Sequence, residues 1–348
     1  MFDSMKLKSK IDEHMKKIED YYDICGLVVS ASGPDFDYAH AAGFSDFAGK
    51  IRMHENDIFH MASLTKLFVG TSIMMLIERN LIELDAKLTD YLPWFTMKDE
   101  RYKKITIRQL LSHTSGMHDV EDYFWDKPQI DEMALERYIR SEEITNGRLR
   151  YDPSEGKFSY SNIGYEILGL IISKVSEMSF EDFVKVNTFE PLKMNDSTLL
   201  TFERDILAIC TPHSKDKENR ITAEKYYPYS RTHGPSSTLT SNAKDIKNWA
   251  KAQLNKSLLK PESYDLMFSE QGIVPNNGER ICLSWFKRQQ SGYTLYGHEC
   301  ADVGFRASFW ICPELGTHIL VTANMSSAPA KKINKQIFDI MLGKQVAL

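Results

Sequence analysis

The chain has 348 residues, 42% of them hydrophobic and 11% aromatic, so it can bury a large core, and we expect one domain spanning residues 1–348. Acidic and basic residues are interspersed and the net charge is −5, which argues against a nucleic-acid partner or an anionic membrane surface. No apolar run approaches the roughly 20 residues that span a bilayer, and residues 1–10 lack the apolar centre of a secretory signal, so a cytoplasmic protein is predicted.

The first 60 residues predict one helix and two strands. Apolar residues at near-helical spacing indicate a surface amphipathic helix over 4–20. A strand is predicted at 24–31, a turn at 33–35 and the second strand of the hairpin at 38–44.

Helices and long loops are predicted between residues 84 and 277. Thr106 is a suitable N-cap for a helix at 107–113, and further helical patterns lie at 133–140, 163–175, 180–186 and 243–254. After residue 278 the pattern predicts strands at 281–286, 293–296, 305–312 and 317–323, and then a helix at 332–342.

Strands at both ends of the chain therefore enclose a helical middle. We predict an α+β fold of the α/β sandwich type, in which both chain ends build one antiparallel sheet flanked by the terminal helices. The predicted sheet lobe comprises 1–60 and 278–348, and the mostly helical lobe inserted between them comprises 61–277.

Ser63 and Lys66 form the first candidate for chemistry. Residues at i and i+3 share a helix face, so the serine hydroxyl can reach the lysine amine at the start of an apolar helix. Burial there favours the neutral amine that a general base must be. The alternative is that Ser63 is only a helix N-cap.

The Ser-x-x-Lys spacing alone is weak evidence, because it recurs at Ser154, Ser214, Ser241, Ser257 and Ser284. These five serines lie in loops, polar helix ends or a predicted strand. Only Lys66 is followed by a long apolar helix, and that context distinguishes the first occurrence.

Two further motifs contain polar residues next to apolar elements. Tyr160 and Asn162 precede an apolar helix, where the alternative is a structural tyrosine with Ser161 or Asn162 as the helix cap. His298, Cys300 and Ala301 lie in a segment predicted between two strands.

Together the three motifs resemble those of the serine β-lactamase and penicillin-binding protein superfamily, in particular its class C β-lactamase, esterase and D-aminopeptidase-like branch. That family carries Ser-x-x-Lys at a helix start, then Tyr-x-Asn, then Lys/His-x-Gly on a late strand followed by Gly-Phe. Here they fall at Ser63 with Lys66, Tyr160 with Asn162, and His298 with Cys300 before Gly304 and Phe305. The resemblance covers about residues 22–343.

The resemblance implies a serine hydrolase that acts through an acyl-enzyme on a small ester, amide or D-amino-acid peptide. Ser63 would attack the acyl carbonyl, and Lys66 and Tyr160 would share the proton transfer, with the base left open between them. Asn162 would bond the substrate amide or Lys66, and the backbone N–H groups of Ser63 and Ala301 would hold the oxyanion.

Two departures from the family pattern bear on activity. Cys300 replaces a glycine and adds a side chain where the strand approaches the serine helix. The space for the acyl group of a substrate, the acyl slot, is therefore expected to be smaller than in the family. His298 replaces a lysine, and its pKa near 6.5 predicts a cation only at lower pH and weaker recognition of a β-lactam carboxylate. The alternatives are therefore a β-lactamase or DD-peptidase, and a catalytically impaired binding or scaffold protein of the same fold.

No cofactor or metal site is predicted. The five cysteines are scattered without Cys-x-x-Cys spacing, and His113, His118, Asp119 and Glu121 lack a His-Glu-x-x-His pattern. A small molecule or short peptide is the only partner that the sequence suggests, and it does not fix the oligomeric state.

Overall fold

The structure is a computed structural model that describes residues 4–204, 209–275 and 278–348. The strands in chain order are β1 (Gly26–Gly33), β2 (Phe36–Asp46), β3 (Ile51–Arg52), β4 (Phe59–His60), β5 (His213–Lys215), β6 (Ile221–Ala223), β7 (Thr240–Ser241), β8 (Gly272–Ile273), β9 (Arg280–Ile281), β10 (Phe286–Gln290), β11 (Tyr293–Asp302), β12 (Phe305–Cys312) and β13 (Thr317–Ala323).

The helices are α1 (Ser4–Tyr21), α2 (Thr65–Glu78), α3 (Leu88–Tyr91), α4 (Ile107–Leu111), α5 (Ala134–Ile139), α6 (Glu142–Thr145), α7 (Asn162–Ser176), α8 (Phe180–Val184), α9 (Gly234–Ser237), α10 (Ala243–Leu254), α11 (Pro261–Met267) and α12 (Ala330–Met341). Within the described ranges, no helix has the length and apolar character needed to cross a membrane.

Both chain ends contribute to one large antiparallel sheet, as predicted. Its strand order is β3-β2-β1-β13-β12-β11-β10-β9-β8. The N-terminal hairpin joins the C-terminal strands through β1 and β13, where Leu27 lies opposite Ala323. The α+β fold class is therefore confirmed.

The sheet has helices on both faces because its central strands alternate apolar residues toward two cores. On β1, Leu27 and Val29 belong to the core under α1 and α12, whereas Val28 belongs to the core that contains α2. The division into two lobes stays a prediction, and its boundary at residue 277 lies outside the described residues.

Helix α2 lies inside the molecule and presents no polar face to water. Its residues from Thr65 to Leu76 are all buried, which fits an apolar sequence surrounded by other elements. Its Gly70 lies so close to Ser284 that an added Cβ would be 2.4 Å from the serine Oγ. The start of this helix is therefore fixed in position by packing along its whole length.

The sequence prediction was wrong around residues 281–286. The strand there ends at Ile281, and the chain turns before β10 begins at Phe286. Ser284 has a φ of 71°, a left-handed conformation that breaks a strand. The His298 motif lies within β11 rather than between two strands. By contrast, the predicted strands 305–312 and 317–323 and the helix 243–254 have the observed bounds.

Candidate active site

Ser63 lies in a single 3₁₀ turn immediately before α2. The turn, Ala62–Leu64, is held by the Thr65 hydroxyl, which donates to the Ala62 carbonyl at 2.7 Å and accepts from the Leu239 N–H at 3.0 Å. Ala62 has a φ of 45°, so the backbone enters the turn in a left-handed conformation. The residue at the N-cap position of α2 is Leu64. The helix-cap alternative for Ser63 is therefore wrong, and its hydroxyl is available for other partners.

Lys66 is fully buried one turn into the helix segment. Its Nζ donates to Ser63 Oγ at 3.1 Å and to the Ser236 carbonyl at 2.8 Å. Burial lowers the pKa of Lys66 to about 8, although nearby carboxylates oppose that shift. A minor fraction of the amine is therefore neutral at neutral pH, far more than for an exposed lysine.

Tyr160 approaches the same serine from the loop that precedes α7. Its hydroxyl donates to Ser63 Oγ at 3.0 Å, and its ring stacks on His113 with centroids 4.3 Å apart. Burial raises the pKa of Tyr160 well above its usual value of 10. The phenol is therefore protonated, and Ser63 Oγ accepts hydrogen bonds from two sides.

Asn162 begins α7, and Ser161 is the helix cap, since its hydroxyl accepts from the Gly164 N–H at 3.2 Å. The Asn162 side chain donates to Asp119 at 3.1 Å and to the Tyr123 hydroxyl at 2.6 Å. Its predicted bond to Lys66 does not form here. The substrate amide remains as the predicted partner of Asn162.

His298 is buried, with 2% of its surface exposed, and its Nδ1 lies 2.6 Å from the Glu299 carbonyl oxygen. Its Nε2 is buried without a hydrogen-bond partner. Burial and the charge of Lys66 lower its pKa to about 3. The expectation of a His298 cation at moderately acidic pH is therefore wrong, because that expectation used the pKa of an exposed imidazole.

Cys300 and Ala301 lie on the part of β11 that continues beyond its pairing with β10, which ends at Gly297. Cys300 is a buried residue, and its thiol lies next to the backbone N–H of Leu64 in the serine turn. Burial raises its pKa well above the usual range. Ala301 is exposed at the end of this strand, where its backbone can face a bound substrate.

Two side-chain pairs next to these residues were missed by the sequence analysis. His60 Nε2 lies 3.1 Å from the Asp302 carboxylate, which ties the segment before Ser63 to the end of β11. Glu166 lies in α7 with its Oε1 3.2 Å from His233 Nδ1. The available signal for Glu166 was a single acid in an otherwise apolar helix, whereas no local signal marked His60 and Asp302.

Two of the residues rejected as metal ligands, His113 and Asp119, bind backbone N–H groups instead. His113 Nδ1 accepts from the Ser161 N–H at 3.1 Å, and Asp119 accepts from the Asn162 N–H at 2.7 Å. In residues 4–204, 209–275 and 278–348, no three His, Cys, Asp or Glu side chains are grouped as a metal site.

An antiparallel sheet packed on a buried helix that starts with Ser-x-x-Lys defines the β-lactamase type of fold. A sequence profile described as Beta-lactamase matches residues 11–341. The chain belongs to the Beta-lactamase family.

Three known proteins illustrate the relationship. "Penicillin-binding protein 4*" of Bacillus subtilis (strain 168) is 30% identical over 267 residues, which are 74% of this chain and 57% of that protein. The chain thus matches little more than half the length of this relative. The octameric penicillin-binding protein homologue from Pyrococcus abyssi superposes with a TM-score of 0.82 at 24% identity, over 99% of this chain and 78% of that one.

The third is the D-amino acid amidase from Ochrobactrum anthropi SV3 in complex with L-phenylalanine amide. It superposes with a TM-score of 0.80 at 18% identity and covers 97% of both chains. At these low identities the two solved structures show the shared fold.

Proposed function

We propose that this protein is a serine hydrolase that forms an acyl-enzyme at Ser63. The observation that carries the proposal is the convergence of two donors, Lys66 Nζ and Tyr160 OH, on the one serine oxygen. A serine becomes a nucleophile when an adjacent base can take its proton and other groups orient its hydroxyl. This arrangement supplies both functions.

Within this mechanism Lys66 is the general base. Its pKa is about 8, so about a tenth of the amine is neutral at pH 7. Tyr160 would have to ionise against a pKa raised well above 10 by burial, and it is protonated at neutral pH. Tyr160 therefore orients Ser63 Oγ and donates a proton to the leaving group.

The reaction follows from these roles. Ser63 Oγ bonds to the substrate carbonyl carbon while its proton moves to Lys66 Nζ, and the N–H groups of Ser63 and Ala301 stabilise the oxyanion. Collapse releases the alcohol or amine, which takes a proton from Tyr160 while the proton gained by Lys66 passes to Tyr160, so both groups return to their resting states. Water then attacks the acyl carbon as Lys66 takes its proton, and Ser63 leaves as the free hydroxyl with that proton. Asn162, held by Asp119 and Tyr123, presents its amide to the substrate.

The substrate that fits best is a small ester, amide or D-amino-acid derivative. One protein of the same fold is titled a D-amino acid amidase. A β-lactamase or DD-peptidase fits less well, because the neutral His298 supplies no charge for a substrate carboxylate. All five cysteines are unpaired and buried, which is compatible with the predicted cytoplasmic location.

A fluorophosphonate probe tests the proposal through the intact mass of the protein. We expect one adduct on Ser63 in wild type and none in Ser63→Ala, which should keep its fold. Lys66→Ala and Tyr160→Phe should each slow p-nitrophenyl ester hydrolysis by orders of magnitude, and their losses should not add, since both act on one proton transfer. Labelling that persists in Ser63→Ala would refute the assignment, and a wild type without any adduct would favour the scaffold alternative.

A further inference from the structure

A fully buried acid, Glu166, lies near Lys66 and plays no part in the mechanism above. Glu166 on α7, His233 and Ser236 form a cluster in which each residue is at most 2% exposed. The Ser236 hydroxyl donates to Glu166 Oε1 at 2.5 Å, and His233 Nδ1 lies 3.2 Å from the same oxygen. We call these three residues the Glu166 cluster.

The hydrogen bonds of the cluster fit an ionised Glu166. A carboxylate has only acceptors, so both Ser236 and His233 can donate to it. A separation of 2.5 Å is typical of a hydroxyl bonded to a charged oxygen. Burial raises the pKa of Glu166 above its usual value, and the hydrogen bonds from His233 and Ser236 and the charge of Lys66 limit that shift.

Ser236 connects this acid to the candidate active site. Its hydroxyl bonds Glu166, and its backbone carbonyl accepts the hydrogen bond from Lys66 Nζ at 2.8 Å. A carbonyl oxygen cannot pass a proton onward. Glu166 therefore acts on Lys66 through its charge and through the position of Ser236.

Several other groups face Lys66 and contribute to its charge balance. They come from five neighbouring segments: His113 and Asp119 from the loop after α4, Tyr160 from the loop before α7, Tyr165 from α7, His298, Cys300 and Asp302 from β11, and Ser236 from α9. Asp119 and Asp302 are partly exposed, so water screens their charges. Glu166 is the fully buried carboxylate in this set, and it is the largest influence opposing the effect of burial on Lys66.

We propose that Glu166 is a positioning residue that, through Ser236 and its own negative charge, stabilises the Lys66 ammonium formed when Lys66 takes the Ser63 proton. The role in catalysis rests on the proposed function. The effect of Glu166 on Lys66 does not, because it concerns two buried groups in the resting protein.

Glu166→Gln removes the charge and keeps the size of the side chain and an oxygen that can accept from Ser236. We expect the pKa of Lys66 to fall by about one unit or more, because a nearby buried negative charge favours the ammonium form and its loss removes that effect. The rise of kcat/KM with pH, which requires neutral Lys66, then moves to lower pH by the same amount. The plateau of kcat/KM at high pH falls by about threefold for each unit by which the Lys66 pKa is lowered, because a less basic amine accepts the proton less well.

The direct test is the titration of Lys66 itself. The ¹³Cε–¹H signals of lysines labelled with ¹³C give the pKa, and the Lys66 signal is identified by its loss in Lys66→Arg. Glu143→Gln is the matched control, because it removes the same charge from a carboxylate that contacts Tyr138 and Glu121. A lowered Lys66 pKa in Glu166→Gln and an unchanged one in Glu143→Gln support the proposal.

Equal Lys66 pKa values in wild type and Glu166→Gln would overturn the proposal. The pH profile of ester hydrolysis adds the catalytic readout. A structural role alone would lower the plateau without moving the profile along the pH axis, and that result would also refute the electrostatic role. If Ser63 forms no adduct with the probe, the proposed function fails, while the Lys66 titration still decides whether the two buried groups are coupled.

Discussion

His298 shows how burial changes the chemistry that a residue type suggests. Its ring packs edge-on against Phe286 with centroids 5.0 Å apart, and its pKa is about 3. It is therefore neutral from about pH 5 to 8, where an exposed imidazole changes charge.

We expect the ratio of KM values for a carboxylate-bearing ester and its neutral analogue to show no step near pH 6.5. Because its pKa is about 3, His298 is already neutral at pH 5. The substrate carboxylate therefore loses no charged partner as the pH rises. Steady-state kinetics of the two esters at matched ionic strength measure the ratio. A step near pH 6.5 that disappears in His298→Gln would contradict a neutral His298.

Cys300 is the second residue whose consequence depends on its surroundings. The thiol fills the space between β11 and the serine turn, next to the Leu64 N–H. We expect Cys300→Gly to increase kcat/KM for p-nitrophenyl esters with bulky acyl groups relative to acetate, because it removes a side chain from that space.

Cys312→Gly is the matched control for this change. Cys312 is equally buried on the neighbouring strand β12, but it belongs to the core under α1 and α12. If both variants change the preference for bulky acyl groups equally, the cause is a general loosening of the sheet and not a larger acyl slot.

The resemblance to a known family, carried by three motifs in order along the chain, predicted Ser63, Lys66 and Tyr160 as partners, whereas the Tyr160 motif alone left a structural tyrosine open. It did not identify the charge of His298 or the partners of Asn162. Both depend on side chains from distant segments, such as Asp119 and Tyr123, that only the tertiary structure brings together. Motifs in the sequence thus predict which residue types lie near Ser63, whereas the protonation states of Lys66 and His298 depend on burial in the tertiary structure.

At the scale of elements, the packing of α7 against α9 positions the Ser236 carbonyl, which accepts a hydrogen bond from Lys66. Gly169 on α7 allows Pro235 on α9 to approach so closely that an added Cβ would lie 2.0 Å from the proline Cγ. Pro235 immediately precedes Ser236, whose carbonyl binds Lys66. A glycine on one helix therefore sets the position of an active-site acceptor on another.

Gly169→Ala should destabilise the protein by about 1–3 kcal/mol, as overpacking does, and should also lower kcat through displacement of Ser236. Gly164→Ala on the same helix is the control, since its Cβ would be 3.5 Å from Leu110, an ordinary contact. Urea unfolding and ester kinetics measure both effects. Equal stability of the two variants would show that α9 moves away freely.

Element bounds were predictable where the period was unambiguous. β12, β13 and α10 have the predicted bounds, because apolar residues repeat in them without interruption. The strand predicted at 281–286 continued an apolar run, but the strand ends at Ile281 and Ser284, which packs against Gly70 of α2, is left-handed. Such a long-range contact leaves no local pattern.

At the scale of the whole molecule, the candidate active site lies on one face of the sheet and the terminal helices on the other. α1 and α12 cover the face that carries Leu27, Ile319 and Val321, whereas Ser63 and Lys66 adjoin the core of α2. The terminal helices therefore stabilise the sheet without contributing a side chain to the groups bonded to Ser63.

Ile11→Ala tests this separation of stability from chemistry. Ile11 on α1 is fully buried against the sheet, so the substitution should lower the free energy of unfolding by about 2–5 kcal/mol. Its kcat/KM per folded molecule should remain that of wild type, because no group bonded to Ser63 moves. Met5→Ala on the same helix is the control, since Met5 is 81% exposed and its truncation should leave stability within about 0.5 kcal/mol of wild type. Urea unfolding and active-site titration with the fluorophosphonate probe give both quantities, and a fall in kcat/KM of fully folded Ile11→Ala would show that the distal layer also positions the reacting groups.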